Sequence, residues 1–587
     1  MTRKKKQPAT VAVIDFETDP FLFMRAPRPF KAGFYDLRDG YKEFSGDDCA
    51  MQLIVYLESR HDPLTIYAHN GGKFDFFFLL EEGALENPVM MINSRIVKCR
   101  TVGIHEVRDS YAMMPIPLRA YQKLDIDYAK LERDVRGEHD AEISKYLKMD
   151  CVYLFELVSK FIDQFGAKLT VGAAAISEVL KFHPVPRRDA RHDKAFRPFY
   201  FGGRVQCFES GLIKPSAIGK MLRIYDVNSM YPKAMHAFDH PASGIYIRLD
   251  DTDALKRFDH KTGIIKGFGG VYFIKFTGSN KGALPMRKED GGLTFDCEYG
   301  EFFACSHEVK AACELGLITV DKIDFIYVCS ASSSYKDFVN HWMAEKIRCK
   351  QSGDKAGEIF AKLMLNSAYG KMATDPTKFK DYFILDNDDY ESIESFEQWK
   401  HNGTLYAKAC SEEIESEKDA RALYKKLLPT LVQDNLRFEI WVCGAPDDKG
   451  YFDVAIGASI TSAARSILLR AIHACDRPIY CDTDSLICEA LEGVEIHDSA
   501  LGAWKFEGET DTVYVAGKKM YAAIGATLEK DGTRKDKIAS KGAKLSAKDI
   551  AFIAQNPDLF VTWQSDAPNF SLDGSINFNV RKIRATA

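Results

Sequence analysis

The hexapeptide Tyr480-Cys481-Asp482-Thr483-Asp484-Ser485 sets two carboxylates two residues apart, between the runs Arg477-Pro478-Ile479 and Leu486-Ile487-Cys488. Those flanks predict a hairpin with the acids at its tip. Crowded aspartates repel one another, and a folded chain tolerates them mainly where divalent cations neutralise the charge. An Asp-x-Asp pair alone is equally an ordinary polar turn. Here it is one of three segments. Upstream stands Tyr225-Asp226-Val227-Asn228-Ser229-Met230-Tyr231-Pro232, and between them Lys362-Leu363-Met364-Leu365-Asn366-Ser367-Ala368-Tyr369-Gly370-Lys371. A third carboxylate, a helix with a cation and a tyrosine, and then the aspartate pair form a layout for handling a nucleoside triphosphate on two metal ions.

A second carboxylate set lies in the first third. Val11-Ala12-Val13-Ile14-Asp15-Phe16-Glu17-Thr18 reads as a buried strand, and Asp15 and Glu17 leave it on the same face. Tyr67-Ala68-His69-Asn70-Gly71-Gly72-Lys73-Phe74-Asp75 predicts a glycine turn, with Asp75 opening a helix. A further helix, beginning at 145, puts Tyr146 and Asp150 on one face, four residues apart. Asp15, Glu17, Asp75 and Asp150, with Tyr146 to orient water, would suit a two-metal site that hydrolyses a phosphodiester.

The elements that must carry these groups are a strand over 222–225 ending at Asp226, a helix through 362–369, and the hairpin. Lys362, Asn366 and Tyr369 fall on one helical face, while Gly370 reads as a helix end. A second, antiparallel helix is expected over 335–352, with Lys346, Arg348 and Lys350 near one side. A chain of 587 residues needs several domains. Its 46% hydrophobic and 28% charged content fits a soluble globular protein. No run of about 18 apolar residues predicts a membrane span, and the start lacks a signal-peptide core. The 14 cysteines contain no CxxC, so neither zinc nor disulfides are indicated, and a reducing cytoplasm is expected. With a net charge of −5, nucleic-acid binding would need local basic surfaces. Residues 530–548, with Lys530, Arg534, Lys535, Lys537, Lys541, Lys544 and Lys548, are the candidate, a solvated loop being the plain reading.

The order of these motifs resembles that of family B DNA polymerases. Asp-x-Glu, Asn-x3-Phe-Asp and Tyr-x3-Asp look like their exonuclease motifs. Asp226 to Pro232, Lys362 to Gly370 and Tyr480 to Ser485 look like polymerase motifs A, B and C. Tyr200-Phe201-Gly202-Gly203 resembles the Tyr-x-Gly-Gly link, and Lys519-Met520-Tyr521 the late Lys-x-Tyr motif. The wording is nearest the protein-primed branch, and within it the enzymes of tectiviruses, tailless membrane-containing phages.

The resemblance implies an α/β multidomain fold: a ribonuclease H-like 3′-5′ exonuclease domain, then a right-hand polymerase of palm, fingers and thumb with two terminal-protein-region insertions. The boundaries expected are exonuclease 1–189, palm 190–243, first insertion 244–337, fingers 338–372, second insertion 373–450, palm 451–523 and thumb 524–587. Asp226, Val227 (through its backbone) and Asp484 would hold the polymerase metals, with Asp482 nearer the periphery. Asp15, Glu17, Asp75 and Asp150 would hold the exonuclease metals, beside Tyr146. The metal would be Mg²⁺, with Mn²⁺ as an alternative. Val227, Ser229, Tyr231 (the steric gate), Lys362, Asn366, Tyr369 and Lys371 would contact the nucleotide. Asn70, Phe74 and Ser110 would hold a frayed 3′ end. Tyr200, Gly202 and Gly203 would hold template, and Lys519 and Tyr521 the primer. Implied partners are template and primer DNA, dNTPs, a terminal protein as primer and a single-stranded-DNA-binding protein, with no membrane. The enzyme would be a monomer in the host bacterial cytoplasm, joining protein-primed initiation to strand-displacing elongation. The neighbouring reading is a family B polymerase that starts strands without a terminal protein. A silent nucleic-acid-binding scaffold is disfavoured because every expected carboxylate is present.

Overall fold

A computed structural model describes residues 10–375, 379–386, 430–434, 438–443 and 452–586. The first strand, Thr10–Thr18, is buried on both faces over most of its length. It pairs antiparallel with Pro29–Asp36 and parallel with Leu64–Ala68, which pairs parallel with Glu106–Asp109. Gly40–Ser45 closes one edge by pairing antiparallel with Pro29–Asp36. On the other side Arg95–Thr101 and Leu85–Ile92 continue the sheet. Leu85–Ile92 then pairs with Phe379–Asp386, and Phe438–Cys443 and Thr430–Asp434 complete ten strands. Strands from the expected second insertion thus extend the N-terminal sheet. Most of that insertion, including the charged stretches 387–389 and 412–421, lies outside the described residues.

The helix Asp140–Phe165 packs across the first strands and starts a turn earlier than the expected 145, with Asp140 and Glu142 in its first turn. Acids there are favoured by the exposed amides of a helix start. Its buried stripe, including Leu147, Leu154, Leu157, Val158 and Phe161, continues into a core shared with the following domains.

A five-stranded sheet holds Asp226 and the Asp482/Asp484 hairpin, in the order Trp504–Thr510, Leu222–Val227, Ser485–Leu491, Cys475–Asp482, Val205–Cys207. Met230–Ala237 and Val454–Ala474 pack on one another behind it. Val454–Ala474 is long and apolar enough to cross a membrane by length and composition, with a mean hydropathy of 1.2, but 89% of that window is buried. It is a core helix, missed by a search for apolar runs because Ser459, Thr461, Ser462, Arg465 and Ser466 interrupt it. Helices Lys336–Ser352 and Lys355–Met372 pack together as the expected pair. The latter runs through Gly370. The helical cost of glycine, about 1 kcal/mol, is offset by burial of Met372 beyond it.

Residues 246–329 carry a separate four-stranded sheet, with helices Asp251–Arg257 and Ser306–Glu314, around its own core. The expected run at 271–276 is strand Tyr272–Ser279. Two expected boundaries cut through elements: 337/338 falls inside Lys336–Ser352 and 523/524 inside Met520–Leu528.

Candidate active sites

Asp15 and Glu17 project from the first strand toward Asp75 and Asp150. Asp75 opens helix Asp75–Glu81, and the Phe16 amide donates to its Oδ1 at 3.2 Å. Lys123 Nζ sits 3.0 Å from Asp150 Oδ2 and 5.1 Å from the centre of the Tyr146 ring. Tyr146 lies 3.4 Å, hydroxyl to hydroxyl, from Tyr128. Burial, then Asp75, Asp150 and Glu17, drives the Asp15 carboxyl well above the carboxylate range. Burial and Asp150 push Glu17 to about 8, against Lys123. Burial pushes Asp75 to about 7, although its own amide and that of Phe16 oppose the shift. Burial also raises Asp150. Four acids that resist joint ionisation call for a compensating cation. Asp150 Oδ1 adds a buried oxygen with no hydrogen-bond partner among the described residues.

A cavity of about 970 Å³ opens from these acids. Asn70 and Phe74 line it, and so do Asn569 and Phe570 from the C-terminal segment. Asn70 takes a left-handed backbone, φ 66°, to start the Gly71–Lys73 turn. Phe74 meets Phe570 edge-on at 5.5 Å. Ser110 is not brought into this cavity. It is fully buried, its hydroxyl donating to the Ala68 carbonyl at 3.2 Å and lying 3.1 Å from His69 Nδ1.

In the second site, Asp226 pairs across the sheet with Ser485 on one side and Lys505 on the other. The Val227 amide donates to the Asp484 carbonyl at 2.7 Å, which locks the Asp226 strand against the hairpin tip. Burial, then Asp484 and Glu507, pushes Asp226 to about 7. Burial raises Asp484, and Asp482 adds to it. Asp482 is turned outward, 3.3 Å from Lys519 Nζ and accepting from the Thr483 hydroxyl at 3.1 Å. Tyr231 stacks on Tyr369, ring centres 3.8 Å apart, and Ser229 bends the chain at φ 60° before helix Met230–Ala237. Lys362 and Asn366 are exposed while Leu363, Met364 and Ala368 are buried, so the predicted wall of that helix is as read.

A family model described as DNA polymerase type B, organellar and viral, matches residues 61–426. The DNA-directed DNA polymerase of Enterobacteria phage PRD1 is 38% identical, over 99% of this chain and 99% of that one. The chain belongs to the type B DNA polymerases. The DNA polymerase of Bacillus phage phi29 is 25% identical, covering 73% of this chain and 69% of its own. The solved phi29 DNA polymerase complexed with primer-template DNA superposes with a TM-score of 0.70, at 19% identity, over 99% of this chain and 100% of that chain. The two share a fold.

In this type B polymerase, several predicted residues have surroundings that the sequence does not show. Gly203 is closely packed. A Cβ there would lie 2.4 Å from Thr483 Oγ1, so the glycine lets the link press on the hairpin tip, while Gly202 faces open space. Lys371 is half a helical turn out of phase with Lys362 and lies 5.7 Å from the Phe452 ring centre. It is not on the wall with Lys362, Asn366 and Tyr369. Tyr521 is buried with its ring 5.0 Å from that of Tyr480, leaving Lys519 to reach the hairpin. The basic cluster is partly neutralised: Lys537 pairs with Glu507, Lys535 with Glu529 at 3.5 Å and Lys544 with Asp566 at 3.4 Å.

The sequence reading missed Lys123, Glu507 and Arg465. Lys123 stands in a run without regular pattern, so nothing local marks it. Glu507 alternates with Lys505 on strand Trp504–Thr510, a signal available only once that strand is known to flank Asp226. Arg465 donates to the carbonyls of Phe201 and Gly202 at 2.8 and 2.9 Å, and pairs with buried Glu308 at 2.7 Å. An arginine inside an apolar helix was the available clue.

Proposed function

We propose that this DNA polymerase extends a primer hydroxyl at the Asp226/Asp484 site and removes 3′-terminal nucleotides at the Asp15/Glu17/Asp75/Asp150 site, with a terminal protein supplying the first hydroxyl. The observation that carries the two-site reading is the presence of two separate carboxylate clusters whose acids resist joint ionisation. The sheet around Asp15 supports the ribonuclease H-like reading. Its central order is Gly40–Ser45, Pro29–Asp36, Thr10–Thr18, Leu64–Ala68, Glu106–Asp109, with Pro29–Asp36 antiparallel to the strand beside it.

The donor sets are hard oxygens, which fit Mg²⁺ or Mn²⁺. Among the described residues no three His, Cys, Asp or Glu side chains form a ready-made cage. Asp226, the Val227 backbone and Asp484 would hold metal at the first site, and Asp15, Glu17, Asp75 and Asp150 at the second. Bound metal would supply neutralisation of phosphate charge and a more acidic hydroxyl or water.

The protein groups do the rest. Ser229 and the amides that follow it face phosphate at a helix start. Lys362 brings a positive charge to the triphosphate, Asn366 lies beside it, and Tyr369 packs on the nascent pair. Tyr231, held flat by Tyr369, bars a 2′-hydroxyl. At the second site Tyr146 orients water, and Lys123, 3.0 Å from Asp150, balances the acids. Residues 246–329, with a core of their own, suit a docking module for the terminal protein. Strand displacement would draw on the second insertion, and template would pass beside Tyr200 and Gly202.

The test is separation of activities. Asp226→Ala or Asp484→Ala should abolish dNTP incorporation on primed DNA and leave single-strand degradation intact. Asp15→Ala with Glu17→Ala should do the reverse. Loss of both activities from either folded variant would defeat the assignment. On a single-stranded circle with Mg²⁺ and dNTPs, products longer than the circle are expected only when an oligonucleotide is annealed. Product without it would favour self-priming.

A further inference from the structure

Four consecutive large apolar side chains stand out on the surface beside the exonuclease cavity: Phe21 is 43% exposed, Leu22 47%, Phe23 37% and Met24 76%. Single exposed apolar residues are ordinary, but a contiguous set marks a contact surface. The turn that carries them is braced. The Arg25 amide donates to the Leu22 carbonyl at 3.0 Å. Its guanidinium binds both Glu132 oxygens at 3.1 Å and the Pro20 carbonyl at 3.2 Å. Just before the turn, fully buried Asp19 is clamped by Arg133 and by Arg136, the latter at 3.1 Å. The turn is thus preorganised and presents its rings at little further ordering cost.

Phe21 is the member that faces the cavity, which also holds Asp15, Glu17 and Asp75. Its ring meets that of Phe74 edge-on, centres 5.2 Å apart and planes at 64°. Phe23 closes against Phe578 of the C-terminal segment at 5.7 Å. Two aromatic faces at a wide angle, opening onto acids and Lys73, suit a strand whose bases stack while its phosphates run toward the hydrolytic centre. A folded peptide would gain little from that acidic floor, whereas a metal-bound phosphodiester would sit on it.

We infer that Phe21 is a base-stacking residue which, with Phe74, holds unpaired nucleotides of single-stranded DNA at the mouth of the exonuclease cavity. The inference rests on the exonuclease reading given above. Phe21 touches bases, not the scissile phosphate, so it acts on binding more than on turnover.

The test compares wild type with Phe21→Ala, Phe21→Leu and Phe21→Trp in the full chain. One readout is degradation of a 5′-labelled single-stranded oligonucleotide with Mg²⁺. The other is fluorescence of 2-aminopurine near its 3′ end, read without metal. KM should rise about 10-fold in Phe21→Ala and nearly as far in Phe21→Leu, with a smaller change in kcat. Phe21→Trp should restore KM, and 2-aminopurine should be quenched less by the Ala and Leu variants than by wild type. A KM and fluorescence in Phe21→Ala equal to wild type, or a Leu variant as good as Trp, would overturn the role while leaving the exonuclease reading in place. A wild type that binds the oligonucleotide but never shortens it would overturn the exonuclease reading, and this inference with it.

Discussion

At the scale of single residues, proximity to the hairpin tip decides tolerance. Gly203 has no room for a methyl group against Thr483, and Thr483 is itself fixed by its amide donating to the Arg204 carbonyl at 2.7 Å. Gly203→Ala should displace the tip that carries Asp484. Synthesis should fall on the order of 100-fold, the usual penalty for misplacing reacting groups by about 1 Å, while single-strand degradation persists. Primer extension beside a degradation assay reads this; unchanged extension would refute it. Glu489 gives a pH signature. Burial alone would raise its carboxyl, but Arg477, Ser216 and Lys220 hold it down at about 2, from an ordinary 4.5. Because the folded value lies below the unfolded one, the stabilisation is complete above pH 4.5 and disappears as pH falls toward 2. Glu489→Gln should therefore cost about 2 kcal/mol near neutrality. The gap from wild type in urea melts should close as pH falls from 4.5 toward 2, and a gap independent of pH would contradict the account.

At the scale of elements, the buried Arg465–Glu308 pair ties helix Val454–Ala474 to helix Ser306–Glu314 and to the 200–203 link. Removing one partner leaves a buried charge, so Glu308→Ala should cost about 3–5 kcal/mol. Replacing both, as Glu308→Leu with Arg465→Met, should recover much of that stability. The Phe201 and Gly202 carbonyls would still lack their donor, so primer extension should stay low while Tm returns. Recovery of both together would mean the pair has no positioning role. Individual elements were largely legible in the chain: Lys362, Asn366 and Tyr369 share their predicted wall, and the apolar run leading to Asp15 gave a true strand. The failures have physical reasons. Gly370 did not end its helix because tertiary burial outweighed propensity. Ser110 looked available because sequence cannot show that its hydroxyl turns to Ala68 and His69. Lys123 could not be found because its partner Asp150 lies on another element, at a separation no local pattern encodes.

At the scale of the whole molecule, the N-terminal region and the helix pair Lys336–Ser352 and Lys355–Met372 share one core. Phe161 meets Phe360 at 5.4 Å, and Phe165 meets Trp342 at 5.8 Å. Phe161→Ala, costing about 3–5 kcal/mol, should lower a single calorimetric transition, with degradation and synthesis lost at the same temperature. Two transitions, only one of them shifted, would show that the regions melt independently. The sequence does not show how far these regions interpenetrate, because the contacts join residues roughly two hundred positions apart. The ten-stranded sheet carries a practical consequence. Leu85–Ile92 is capped by Phe379–Asp386, a strand that any fragment ending near residue 189 would lack. Such a fragment would present a bare row of amides and carbonyls, the kind of edge on which strands from other chains assemble. The N-terminal third cut out on its own should therefore be prone to clump, with light scattering that grows with concentration, even if its acids remain in place.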